Sequence, residues 1–202
     1  MTSLEVPTQG SVTPGRHRGA YLEMLIGALI GLVASFVLAV DAIVLAANPN
    51  AEFSCDINAN ISCGAVGVTW QANLLGFPNA FLGLISEPVV ITVAIAALAG
   101  VVFPRWFMVT AQAFYSIGFI FAYWLFFQSY FVIGALCPWC LTITVTTTVV
   151  FFSITRINVM DGNLRFGRAT STIQSLVKSW VDVYLMIIVL AIMAAMVIVR
   201  YL

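Results

Sequence analysis

Four cysteines carry the first chemical signal in this 202-residue chain: Cys55 and Cys63, then Cys137 and Cys140 within Cys137-Pro138-Trp139-Cys140. At the start of a helix a CxxC pair puts both sulfurs on one face, because residues three apart are neighbours there. With Cys137 as N-cap, Pro138 falls at the first helical position, where a missing N–H costs nothing. The unpaired N–H groups and the positive end of the helix dipole then favour a thiolate at Cys137, and Cys140 lies one turn deeper. The two-residue spacing is typical of redox pairs, and a stabilising bridge adds little to helices already held by a bilayer. A zinc shell of all four cysteines would need both pairs to converge permanently as a closed tetrahedron. The expected chemistry is thiol–disulfide exchange between two pairs; structural cysteines in a non-catalytic membrane subunit are the alternative.

The elements that must position these sulfurs follow from composition. Hydrophobic residues make up 62% of the chain and charged residues 8%, with a mean hydropathy of +1.06, whereas a soluble domain carries about 25% charge. The expected class is an all-α integral membrane protein in a lipid bilayer. A formal net charge of zero argues against a nucleic-acid partner. Residues 1–20 read as a flexible cytoplasmic tail with the basic cluster Arg16, His17 and Arg18, and 21–202 as a single membrane domain. Apolar runs predict spans over 22–47, 79–103 and 181–199, and residues 106–155 form 50 consecutive positions without a charge. A span takes about 20 residues, so that stretch must hold a helical hairpin. Its turn is expected over 128–136, where Gln128, Ser129, Tyr130 and Gly134 interrupt the pattern.

Five spans set the orientation, since cytoplasmic loops carry the excess of Lys and Arg. Arg16, Arg18, Arg105, Arg156, Arg165, Arg168 and Lys178 fall on one side and Arg200 alone on the other, seven against one. The N-terminus and the 156–180 loop are then cytoplasmic, and the 48–78 loop, the 128–136 turn and the C-terminus extracytoplasmic. All four cysteines land outside, although the charge argument does not use them. That compartment is oxidising in most cells, so paired thiols form disulfides there.

The segment Cys55-Asp56-Ile57-Asn58-Ala59-Asn60-Ile61-Ser62-Cys63-Gly64, then Gly76-Phe77-Pro78-Asn79-Ala80-Phe81-Leu82-Gly83 and Cys137-Pro138-Trp139-Cys140-Leu141-Thr142, resembles the vitamin K epoxide reductase family over roughly residues 20 to 156. The resemblance implies a four-helix bundle around a quinone, menaquinone or ubiquinone, with the fifth helix added. It implies that Cys137 and Cys140 reduce the quinone while Cys55 and Cys63 relay electrons from a thioredoxin-fold, DsbA-like partner, so supporting disulfide formation. Bacterial relatives often carry that partner as a fused domain; this sequence stops after the fifth span, so a separate secreted or membrane-anchored partner and a bacterial plasma membrane are expected. Recycling of vitamin K epoxide is the alternative chemistry.

The resemblance also makes Asn79, at the outer start of span two, a candidate to hydrogen-bond a quinone oxygen, with a helix N-cap as its plain role. Thr69 stands where relatives have Ser or Thr supporting the cap over the quinone site. Thr144 stands where they often have Tyr. Asp56, beside Cys55, should disfavour a thiolate there, unless it is simply a solvated loop carboxylate. Asp41 and Glu87 fall within spans, where carboxylates are functional candidates by default. Gly27 and Gly31 form a small-xxx-small face suited to helix packing.

Overall fold

In the computed structural model, residues 17–164 and 167–201 are described. The tail 1–16, including Arg16, lies outside them, as do Arg165 and Leu202. The helices are α1 (Arg18–Ala47), α2 (Cys63–Gly67), α3 (Ala80–Leu98), α4 (Arg105–Phe127), α5 (Pro138–Met160), α6 (Thr170–Lys178) and α7 (Val181–Tyr201). Five helices, α1, α3, α4, α5 and α7, are long and apolar enough to cross a membrane. In hydrocarbon each backbone N–H and C=O needs a partner within its own segment, which is why apolar runs of this length fold as helices. The expected all-α membrane fold is the one observed.

In the bundle α1 packs against α3 and α5, α4 against α5, and α7 against another side of α5. Gly27 and Gly31 let α1 approach: a Cβ on Gly27 would sit 3.0 Å from Val150 Cγ2, and one on Gly31 would sit 3.1 Å from Thr146 Oγ1. Met24, Ala28, Val93, Met108, Val150 and Ile157 form the apolar core.

The end of the bundle away from the cysteines is closed by polar seams. Asn158, fully buried, donates to Met108 O at 3.1 Å and to Gln112 Oε1 at 3.2 Å, and Gln112 donates to Thr155 Oγ1 at 2.9 Å. Arg105 donates to Asn163 O at 2.7 Å. His17 lies 3.0 Å from Asp161. Arg156 grips Asp182 with contacts of 3.0 and 2.9 Å and lies over the Trp180 ring, fixing the start of α7. These pairings let α5 continue to Met160 and let α6 form, so the connection expected over 156–180 is largely helical.

The hairpin turn also differs from expectation. Past Phe127 the α4 helix continues as a π-helical turn, Gln128–Ile133, and ends at Gly134 with φ 77°. Gln128 is no breaker, because its side chain accepts from Gln71 Nε2 at 3.4 Å, and Ser129 is buried within the turn. Only Gly134 takes the left-handed conformation that stops the helix, with its N–H on Ser129 O.

Candidate active site

The site starts with a short loop that has to be held still. The Asp56 carboxylate accepts from Phe53 N–H at 2.8 Å, Ser62 Oγ at 2.7 Å and Gly64 N–H at 3.0 Å. Burial pushes this carboxyl up, but hydrogen bonds from Gly64, Ser62, Phe53 and Cys63 outweigh it and hold Asp56 below the usual carboxylate range. Ser62 caps α2 by accepting from Ala65 N–H at 2.9 Å. Cys63 is thereby set at the first position of α2, where it is disulfide-bonded to Cys55, with 5.7 Å between their Cα atoms. Backbone bonds dock the loop on the helical hairpin: Ser62 N–H to Leu136 O at 2.9 Å and Leu136 N–H to Asn60 O at 2.8 Å.

That docking places the second pair under the first. Cys137 is the N-cap of α5, with Pro138 as the first helical residue, and its sulfur accepts from Cys140 N–H at 3.3 Å. The Cys137 thiol lies 3.4 Å from the Cys63 sulfur, both buried at 1% and 3% exposure. A hydrogen bond from the Cys140 thiol lowers the Cys137 thiol from its ordinary value; burial and the Asp41 charge oppose this, and the N–H groups of Cys140 and Trp139 assist. Cys137 and Cys140 are free thiols. A bridged pair and a dithiol thus stand within reach of each other, with the more acidic thiol at the crossing point.

Cys63, Cys137 and Cys140 all line a cavity of about 880 Å³. It occupies the space between α3 and α4, with α1 and α5 behind. Its walls are apolar, and Ile85, Phe114 and Ile117, 65% to 72% exposed, stand on them, so the cavity opens sideways. Buried polar atoms in proteins are nearly always paired. Here Ser35 Oγ, Asn79 Oδ1 and Glu87 Oε2 are buried without partners, and all three residues line this cavity. An apolar body with a few polar atoms is what such a wall fits.

The vitamin K epoxide reductase family model matches residues 22–155, two thirds of the sequence. The chain belongs to the vitamin K epoxide reductase family. It is accordingly a membrane oxidoreductase, and the matched region holds both cysteine pairs and the four helices around the cavity. A search of curated proteins returns no match.

Against this vitamin K epoxide reductase framework the other sequence candidates divide. Asn79 stands at the N-cap position of α3, yet its side chain does not cap the helix; Nδ2 donates to Gln71 O at 2.6 Å, leaving Oδ1 unpartnered. Thr69 is not among the cavity-lining residues: its hydroxyl donates to Val66 O at 2.7 Å, a bond within the loop. Asp56 is partly exposed, and beside the bridged Cys55 its carboxylate anchors the loop through Phe53, Ser62 and Gly64. Thr144 lines the cavity while its hydroxyl bonds back to Cys140 O at 3.0 Å. Asp41 lines the cavity on α1. Glu87 accepts from Tyr115 OH at 3.2 Å. Sequence reasoning missed Tyr115, Gln71 and Ser35. Ser35 had a signal: it extends the four-residue spacing of Gly27 and Gly31, and a Cβ on Gly83 would collide with its hydroxyl.

Proposed function

We propose that this membrane oxidoreductase takes electrons from an extracytoplasmic thioredoxin-fold, DsbA-like protein and delivers them to a membrane quinone, so supporting disulfide formation in exported proteins. The observation that carries the reading is the 3.4 Å approach of Cys137 to Cys63 at the wall of an apolar cavity that Cys140 shares. A thiolate of the partner attacks Cys55, opening the Cys55–Cys63 bridge as a partner–Cys55 mixed disulfide, and the partner's second thiolate displaces Cys55, so the partner leaves oxidised and both loop cysteines are reduced. The freed Cys63 thiolate attacks Cys137 in a Cys137–Cys140 disulfide, and Cys140 leaves as a thiolate. Cys55 then attacks Cys63, restoring the loop bridge and releasing Cys137. The bridged loop and free α5 dithiol are the product of that sequence.

The residues fit the group this reading requires. Bound in the cavity, a quinone supplies an acceptor for two electrons and two protons that is soluble in the apolar layer. The second Nδ2 hydrogen of Asn79 could donate to a quinone oxygen and its Oδ1 could accept from the hydroquinone, Glu87 and Ser35 offer further polar atoms, and Cys140 on the wall would be the donor sulfur. The gap between α3 and α4 admits a long apolar tail from the bilayer. Orientation rests on the basic residues: Arg18, Arg105, Arg156, Arg168 and Lys178 all lie at the end away from the cysteines, which the positive-inside rule makes cytoplasmic. A bacterial plasma membrane is part of this reading, by analogy with bacterial members of the family.

The test is the redox state of the partner in cells. Cys137→Ala should leave the loop pair unable to pass electrons inward, so the partner accumulates reduced. A partner that stays oxidised at the normal rate in that variant overturns the relay.

A further inference from the structure

The cysteine end of the bundle is crowded with potential anions and has little to balance them. Asp41 reaches the loop bridge from α1: its carboxylate oxygen and the sulfurs of Cys55 and Cys63 all lie within 4.8 Å of one another. A third sulfur, Cys137, is 3.4 Å from Cys63. Asp56 cannot relieve this group, because its oxygens are engaged by the loop's own donors. Among the described residues every Lys, Arg and His except Arg200 lies at the opposite end of the bundle, and Arg200 sits over the Tyr130 ring.

While Cys55 and Cys63 are bridged, their sulfurs are weak ligands. Reduction converts the same group into two thiols and a carboxylate around one point, with the Cys137 thiol against Cys63 as a fourth donor. Tetrahedral zinc has Zn–S bonds of about 2.3 Å and Zn–O bonds of about 2.0–2.2 Å, which puts its donor atoms about 3.5–3.8 Å apart. The Cys63–Cys137 separation is already of that size and the Asp41 group fits within one ångström or so of it. The two bridged sulfurs have to move apart, which reduction brings about, and Cys137, in contact with Cys63 but outside the 4.8 Å group, has to close on Asp41 and Cys55.

We infer that Asp41, Cys55, Cys63 and Cys137 form a redox-gated site for one Zn²⁺ ion, present when both cysteine pairs are reduced and absent when the loop pair is bridged. On binding, the ion forms three Zn–S bonds and one Zn–O bond, and the three thiols release three protons in all; no electrons are transferred. Cys140 stays outside the shell. An ion held there occupies the thiolates of Cys63 and Cys137 and stops exchange between the pairs, so zinc is a brake on the reduced enzyme. The brake rests on the relay proposed above, but the site does not, because a chemical reductant produces the same four donors without partner or quinone.

The test uses the full chain in detergent, reduced with a phosphine, freed of reductant under nitrogen and titrated with Cd²⁺ or Zn²⁺ alone. One equivalent of Cd²⁺ should raise an ultraviolet sulfur-to-cadmium charge-transfer band that Zn²⁺ displaces, and Zn²⁺ should release protons. Chain oxidised at Cys55 and Cys63 should show neither. Asp41→Asn should weaken binding by about tenfold or more, as loss of a charged ligand does, with Asp41→Glu weakening it less. Cys140→Ser should keep the metal, and Glu52→Gln, an exposed loop acid, should bind as wild type does. Binding to the bridged chain, undiminished affinity in Asp41→Asn, or loss of the metal in Cys140→Ser overturns the site; the last two would assign the shell to the four cysteines instead. If Zn²⁺ binds as expected yet leaves partner oxidation unaffected, the site stands and the relay through Cys63 and Cys137 falls.

Discussion

At the end of the bundle away from the cysteines, a buried asparagine finds every partner it needs: Asn158 binds Met108 O and Gln112, and accepts from Asn163 Nδ2 at 3.0 Å. Toward the cysteine end, Ser35, Asn79 and Glu87 leave polar atoms unpartnered around a cavity. Both regions are built from the same apolar helices. A satisfied polar network rigidifies the place where it sits, whereas an unsatisfied one costs stability unless something else completes it. The first region holds the helices together, and the second, in the function proposed above, receives a ligand and moves electrons.

The sharpest way to break this division is to remove the crossing sulfur. Cys137→Ala should abolish quinone reduction driven by a dithiol, with thermal unfolding in detergent little changed; a residual rate near wild type would mean that the cysteine end works without its central thiol. Cys140→Ala should do the same to quinone reduction, while still allowing a Cys63–Cys137 mixed disulfide to be trapped. Asn158→Ala is the mirror experiment. Removing one partner of a buried network costs about 1–3 kcal/mol, so the melting temperature should drop while turnover at low temperature is kept.

Asn79→Ala should lower quinone turnover by the loss of one buried hydrogen bond, about 1–3 kcal/mol, without slowing exchange among the cysteines. Equal slowing of both would place Asn79 in the loop's architecture instead. The smallest effect belongs to Asp56. Its folded carboxyl lies below the ordinary value of 3.8, so its contribution to loop stability is fully present above that value and is lost as pH falls through the lower, folded one. Amide exchange at Gly64 should quicken over that acidic range in the wild type. In Asp56→Asn it should be quicker at neutral pH and lack the acid step.

The membrane fold was legible in the sequence because its signals are local and strong: long apolar runs, a charge-free hairpin and basic residues gathered on alternate connections. The N-cap at Cys137 was legible for the same reason, since Cys-Pro at a helix start is decided within two residues. What could not be read was decided by how the chain folds back, within the cysteine loop and between that loop and the helical hairpin. Asp56 resembles a loop acid until Ser62 and Gly64 are seen to fold back onto it, and Gln128 resembles a breaker until Gln71 is beside it. Thr69 is expected to support the cap over the quinone site, and its hydroxyl does bond Val66 O within that loop, though it does not line the cavity. Nor does any residue pattern announce that α3 and α4 stand apart.

That separation changes what substrate concentration means for this protein. A molecule entering between α3 and α4 arrives from the lipid, where motion is confined to a sheet and abundance is counted as molecules per lipid. Halving the lipid in a vesicle preparation at constant total quinone should raise the encounter rate, although the quinone content of the tube is unchanged. Saturation curves drawn in molar units will therefore shift between preparations of the same protein, and curves drawn against mole fraction will superimpose.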